Sequence, residues 1–171
     1  MERKVFEKAV EIILEYEGGL TTDTGGLTKY GISQRAFPSL DIEKLTKEQA
    51  KEIYWRNYWR PIKCGELPYG LAFFLFDSGI NMGKRRAIRL LQTAINKFKI
   101  KIAVDGIIGA QTLTAVNTLA HTGHTDSLLA LFYLERLKFY TRLSKRKQYS
   151  RYLLGWINRI NDALEKALLE F

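Results

Sequence analysis

Glu17 is the residue in this chain best placed to do chemistry. It ends an apolar stretch at helical spacing and is followed at once by Gly18-Gly19 and a polar loop. The C-terminus of a helix carries partial negative charge, which disfavours an ionised carboxylate there. Burial against Tyr16 and the apolar face would act in the same direction, toward the protonated form that a general acid needs. Farther along the loop stand Asp23 and Thr28. A carboxylate and a hydroxyl facing a protonated glutamate can place a water or stabilise positive charge on a sugar, which is what cleavage of a glycosidic bond by water requires. Each residue also has a plainer reading. Glu17 would serve equally as a solvated glutamate closing a helix, and Asp23-Thr24-Gly25-Gly26 is a satisfactory tight turn.

The elements that must position these groups are mostly helical. Val5, Phe6, Ala9, Val10, Ile13 and Leu14 form a stripe that predicts a first helix ending near Glu17, where Gly18-Gly19 supplies the backbone freedom to stop it. From Leu20 to Ser33 the pattern gives way to Thr, Asp and Gly, a stretch with room for a short hairpin. Thr46 with Gln49 fits a capping box opening a helix that Pro61 terminates. Pro68 to about Met82 is apolar nearly all round, as expected for a buried central helix.

Ala87, Ile88, Leu91, Ala94, Ile95 and Phe98 mark the next helix. A Gly-containing loop at Val104 to Gly109 leads to a helix with Leu113, Val116 and Leu119, and two long helices follow, one over about 125–143 and one carrying Trp156, Ile160 and Leu164. No repeat and no Pro/Ser-rich linker interrupts them, so the expected class is all-α with at most a short β-hairpin near residues 20–33.

Composition narrows the partners. A chain of 171 residues, 46% hydrophobic, can bury one sizeable core, and its 27 Lys and Arg against 18 Asp and Glu give a net charge of +9. That charge favours polyanions: nucleic acid, an anionic membrane surface or the bacterial cell wall. The basic residues are dispersed, with Lys145-Arg146-Lys147 the densest run, so nucleic acid is not expected. Even the richest apolar stretch, Leu71 to Phe76, is too short to span a bilayer, and no secretory signal is evident at the N-terminus. Cys64 stands alone and reads as a small buried hydrophobe.

Three further groups invite a functional reading beside a structural one. Trp55 and Trp59, four apart with Tyr58 adjacent, suit a sugar face but more often form core. Asp77 and Asn81 lie four apart on the apolar central helix, where a polar group needs either an internal partner or a substrate. His121, His124 and Asp126 are too few to imply a metal.

Glu17-Gly18-Gly19 followed by Asp23-Thr24-Gly25-Gly26-Leu27-Thr28-Lys29-Tyr30-Gly31-Ile32-Ser33 resembles the signature of the glycoside hydrolase 108 muramidases of phages and prophages. The likeness continues through Ala36-Phe37-Pro38, Tyr54-Trp55-Arg56-Asn57-Tyr58-Trp59 and Phe76-Asp77-Ser78-Gly79-Ile80-Asn81-Met82-Gly83. Leu91-Gln92, Val104-Asp105-Gly106-Ile107-Ile108-Gly109 and Thr112 are similar to the family's C-terminal peptidoglycan-binding segment. The loop after Glu17 is shorter than is usual in the family, and Leu20 stands where a tyrosine is common.

The resemblance implies a lysozyme-like catalytic region over residues 1–84 and a helical peptidoglycan-binding region over 85–171 that shares its core. Glu17 would be the general acid, and Asp23 and Thr28 its catalytic partners. Tyr30, Asp77 and Asn81 are the candidates for substrate contact. The implied reaction is cleavage of the β-1,4 bond between N-acetylmuramic acid and N-acetylglucosamine by a monomer needing no cofactor and no metal. The protein would be made in a host cytoplasm and reach the wall after a holin opens the membrane, without stable membrane insertion of its own. A lytic transglycosylase and a non-catalytic wall-binding or secretion-associated protein are the competing readings.

Overall fold

A computed structural model of the chain describes residues 2–23 and 26–171, Asp23 by its backbone alone. It is mainly α-helical, with one small sheet near the N-terminus. Residue contacts divide it into two units, Met1–Pro61 and Ile62–Phe171.

In the first unit, α1 (Glu2–Glu17) buries Phe6, Ala9, Val10, Ile13 and Leu14, the stripe expected from their spacing. The Gly18 N–H donates to the Leu14 carbonyl at 3.1 Å and closes the last turn directly after Glu17. The stretch expected to hold a short hairpin forms three antiparallel strands, β1 (Thr21–Asp23), β2 (Gly26–Lys29) and β3 (Ile32–Ser33), in that order. The additional strand exists because Tyr30 and Gly31 both take positive φ, 53° and 74°. Two such residues make the tight turn whose twist matches its flanking strands.

The helix α2 (Lys47–Tyr54) opens with the expected capping box: the Gln49 N–H donates to Thr46 Oγ1 at 3.2 Å and the Thr46 N–H to Gln49 Oε1 at 2.9 Å. It does not run on as α-helix to Pro61. After Tyr54 it widens into a π turn, Trp55–Trp59, closed by the Arg60 N–H on the Trp55 carbonyl at 3.0 Å. Trp55 and Trp59 meet the Phe6 ring edge-on, with centroids 4.9 and 5.5 Å away, and the fully buried Trp59 donates its indole N–H to Glu2 at 3.1 Å. These indoles pack the core of this unit.

The second unit is built around α3 (Tyr69–Met82), whose residues from Leu71 to Gly79 are all buried. Against it pack α4 (Lys84–Ile95), α6 (Thr125–Ser144) and α7 (Leu153–Leu169), while α5 (Ala110–His121) packs on α4 and α6. The contact division at Pro61 follows from this packing, because α3 lies among the later helices.

Two polar clusters hold the second unit together. The buried Gln92 side chain reaches Asp105 Oδ1 at 2.8 Å, the Ile107 carbonyl at 3.0 Å and Thr112 Oγ1 at 3.2 Å, and accepts from the Gly106 N–H at 2.9 Å. This one amide ties the Val104 to Gly109 loop to α4 and α5, which accounts structurally for the company that Gln92, Asp105, Gly106 and Thr112 keep. Deeper in, Asp77 has no exposed surface and is paired with Arg136 at 2.6 Å and Arg159 at 2.9 Å. A buried carboxylate needs such partners, since an unpaired charge there would cost several kcal/mol.

Candidate active site

The site assembles where α1 ends. Glu17, the last residue of α1, is partly exposed, and the Tyr30-Gly31 turn of the sheet presses against it. A Cβ built on Gly31 would lie 2.8 Å from Glu17 Cγ, 2.9 Å from Glu17 Oε2 and closer still to the Tyr54 hydroxyl. Only a glycine lets the turn backbone approach this near, and its φ of 74° excludes most other residues independently. The turn is fixed from the other side by Tyr54, buried at the end of α2, whose hydroxyl donates to the Tyr30 carbonyl at 2.9 Å.

Tyr58, in the π turn, completes this arrangement. Its ring centroid is 5.6 Å from that of Tyr54. Burial, and secondly the negative charge of Glu17, hold the Tyr58 phenol above its ordinary pKa. Like any phenol it is neutral at neutral pH, and it lies within electrostatic reach of Glu17.

Beside the end of α1 lies a cleft of about 240 Å³, lined among others by Glu15, Gly18, Gly19, Tyr30 and Lys47. Lys47 is engaged there with Glu11, and hydrogen bonds from Lys47 and Lys51 hold the Glu11 carboxyl below the ordinary carboxylate range. The cleft thus offers an aromatic ring and charged groups beside the end of α1, and Glu17 itself is not among the residues that line it.

The residues singled out in the sequence fall into separate places. Tyr30 lines the cleft beside the end of α1. Thr28 is half-buried at the centre of the sheet, opposite Thr21 in β1 and Ser33 in β3. Asp23 pairs with Gly26 through its backbone, while its carboxylate, with Thr24 and Gly25, lies outside the described residues. Asp77 and Asn81 belong to the second unit. Asp77 is spent on its two arginines, and Asn81 accepts a hydrogen bond from the Tyr140 hydroxyl. His121 and His124 are exposed, their Nδ1 atoms lying beside the Asn117 carbonyl and the Thr122 hydroxyl. Among the described residues no group of three or more His, Cys, Asp or Glu is placed to hold a metal.

Gly31, Tyr54 and Tyr58 stand in the motifs read from the sequence but are not singled out there as candidate catalytic or substrate-binding residues. The signal available was the four-residue spacing of the two tyrosines, hidden beside the more conspicuous tryptophans.

Two family models match the chain in succession. Residues 10–83 match the family model described as glycosyl hydrolase 108, and residues 86–161 match the model described as a predicted peptidoglycan domain. No curated protein matches the chain. A solved structure titled "Structure of Brucella abortus SagA" is similar, with a TM-score of 0.80 and 29% sequence identity over 97% of this chain and 95% of that one. Glu17 and the turn packed on it lie within the first matched segment and the Gln92 clamp within the second, so the chain carries a glycosyl hydrolase 108 domain followed by a peptidoglycan-binding domain.

Proposed function

We propose that the protein is an N-acetylmuramidase that cleaves the β-1,4 bond between N-acetylmuramic acid and N-acetylglucosamine, with Glu17 as its general acid. The observation that carries this reading is the position of Glu17: a partly exposed glutamate at a helix end, against a turn whose glycine leaves its carboxylate room. Glu17 protonates the glycosidic oxygen as the bond from the sugar C1 breaks, and the leaving sugar departs as an alcohol. Asp23 stabilises the oxocarbenium-like centre or, with Thr28, orients the water that adds to C1. Tyr30 provides a ring for the sugar face.

An endolysin role suits this chemistry. The enzyme is made in a host cytoplasm and acts on the wall once a separate factor, of the holin kind, has opened the membrane. Among the described residues no helix is long and apolar enough to cross a membrane. Digestion of purified sacculi with mass analysis of the released muropeptides tests the reaction. Reducing N-acetylmuramic acid ends are expected; 1,6-anhydro ends would make the enzyme a lytic transglycosylase, and no release at all would leave only wall binding.

A further inference from the structure

The second unit carries a groove that the reaction at Glu17 does not use. Two adjoining hollows of about 380 and 230 Å³ share Leu90 and Phe139 as a common floor. Arg85, Arg86 and Arg89 of α4 form one bank; Arg142, near the end of α6, and Arg146, just past it, form the other. The Arg86 guanidinium lies 4.8 Å from the centre of the Phe139 ring and steadies that floor. No residue lining either hollow is acidic, and all five arginines are exposed. Like charges collected along one groove repel each other, so the arrangement favours an anionic occupant.

We propose that this groove binds peptidoglycan through the free carboxylates of its stem peptides. Three observations select that occupant. Every cationic residue of the groove is arginine, whose planar fork pairs with a carboxylate through two parallel hydrogen bonds where lysine offers a point charge. The floor is apolar and aromatic, suited to the aliphatic part of a short peptide and not to a bare phosphate chain. The groove also lies almost wholly within residues 86–161, the segment that matches a peptidoglycan domain. The inference rests on the wall being the substrate, but it assigns wall binding to residues other than those proposed for the reaction at Glu17.

Binding without turnover tests it. Full-length protein carrying Glu17→Gln is titrated against purified sacculi, and against the same glycan strands stripped of stem peptides by an amidase, with the lactyl carboxylates that the cleavage exposes capped as amides. The double variant Arg89→Gln/Arg142→Gln on that background is expected to bind sacculi at least about tenfold more weakly. On stripped strands the parent is expected to fall to the level of the variant. Arg89→Lys/Arg142→Lys, which keeps the charge and loses the fork, is expected to lie between, and it remains informative should the glutamine pair fold poorly. Equal binding of parent and glutamine variant to sacculi would overturn the proposal. So would undiminished binding of the parent to stripped strands, or tighter binding to duplex DNA or polyphosphate than to sacculi. Because no cleavage is read, loss of the groove effect beside intact release of reducing sugars refutes the groove alone, and the opposite result refutes the muramidase reading alone.

Discussion

The hydroxyl of Tyr54 donates to the carbonyl of Tyr30 at 2.9 Å and so holds the sheet's turn against Glu17. A residue at the end of one helix thereby sets the environment of a carboxylate at the end of another, through a backbone carbonyl. If that restraint positions Glu17, loosening it costs activity beyond its cost in stability. Tyr54→Phe removes one buried hydrogen bond, worth about 1–2 kcal/mol with the carbonyl left unpaired. Gly31→Ala adds both a contact with Glu17 and a strained φ, costing about 1–3 kcal/mol. Both variants are expected to lose at least about tenfold in lytic rate under conditions where urea titration shows them folded. Wild-type rates in Gly31→Ala would remove the turn from the mechanism.

The helices were legible in the sequence because their signals are local. The α1 stripe, its end at Gly18-Gly19 and the Thr46–Gln49 capping box all act within a few residues and appear where expected. The parts that were not legible depend on distant residues. Strands of two to four residues, as in β1 to β3, are too short to show a period of two. The π turn at Trp55–Trp59 accompanies the docking of both indoles on Phe6, which no local preference encodes. Asp77 gave notice of itself as a carboxylate in an apolar helix, but Arg136 and Arg159 lie so far along the chain that only the fold reveals them as its partners.

Asp77 accordingly belongs to folding. Asp77→Ala strands Arg136 in the interior without its counter-charge, a change that costs about 3–5 kcal/mol. Urea unfolding is expected to show that loss, with the KM of whatever enzyme remains folded unchanged. Wild-type stability with a raised KM would instead make Asp77 a substrate contact.

Salt separates long-range docking from chemistry. With a net charge of +9, lysis of whole sacculi is expected to slow as ionic strength rises from low to several hundred millimolar, because the screening length shortens to a few ångströms. Cleavage of short soluble oligosaccharides is expected to respond less. Equal sensitivity of both rates would rule out electrostatic docking on the wall.

Asp23 and Thr28 carry the second half of the proposed reaction. Asn at position 23 preserves the turn preference and deletes the charge. Asp23→Asn and Thr28→Ala are therefore expected to melt close to wild type and to lose most of their activity. Full activity in both would make this loop structural and require another partner for Glu17.

The central claim is that Glu17 donates the proton, and the most direct measurement is the lytic rate of Glu17→Gln on purified sacculi, with circular dichroism confirming the fold. Glutamine keeps the size and polarity of the side chain and cannot act as the acid. The account predicts a fall of about two to four orders of magnitude with the melting transition preserved; a folded Glu17→Gln protein that lyses sacculi at the wild-type rate would contradict it.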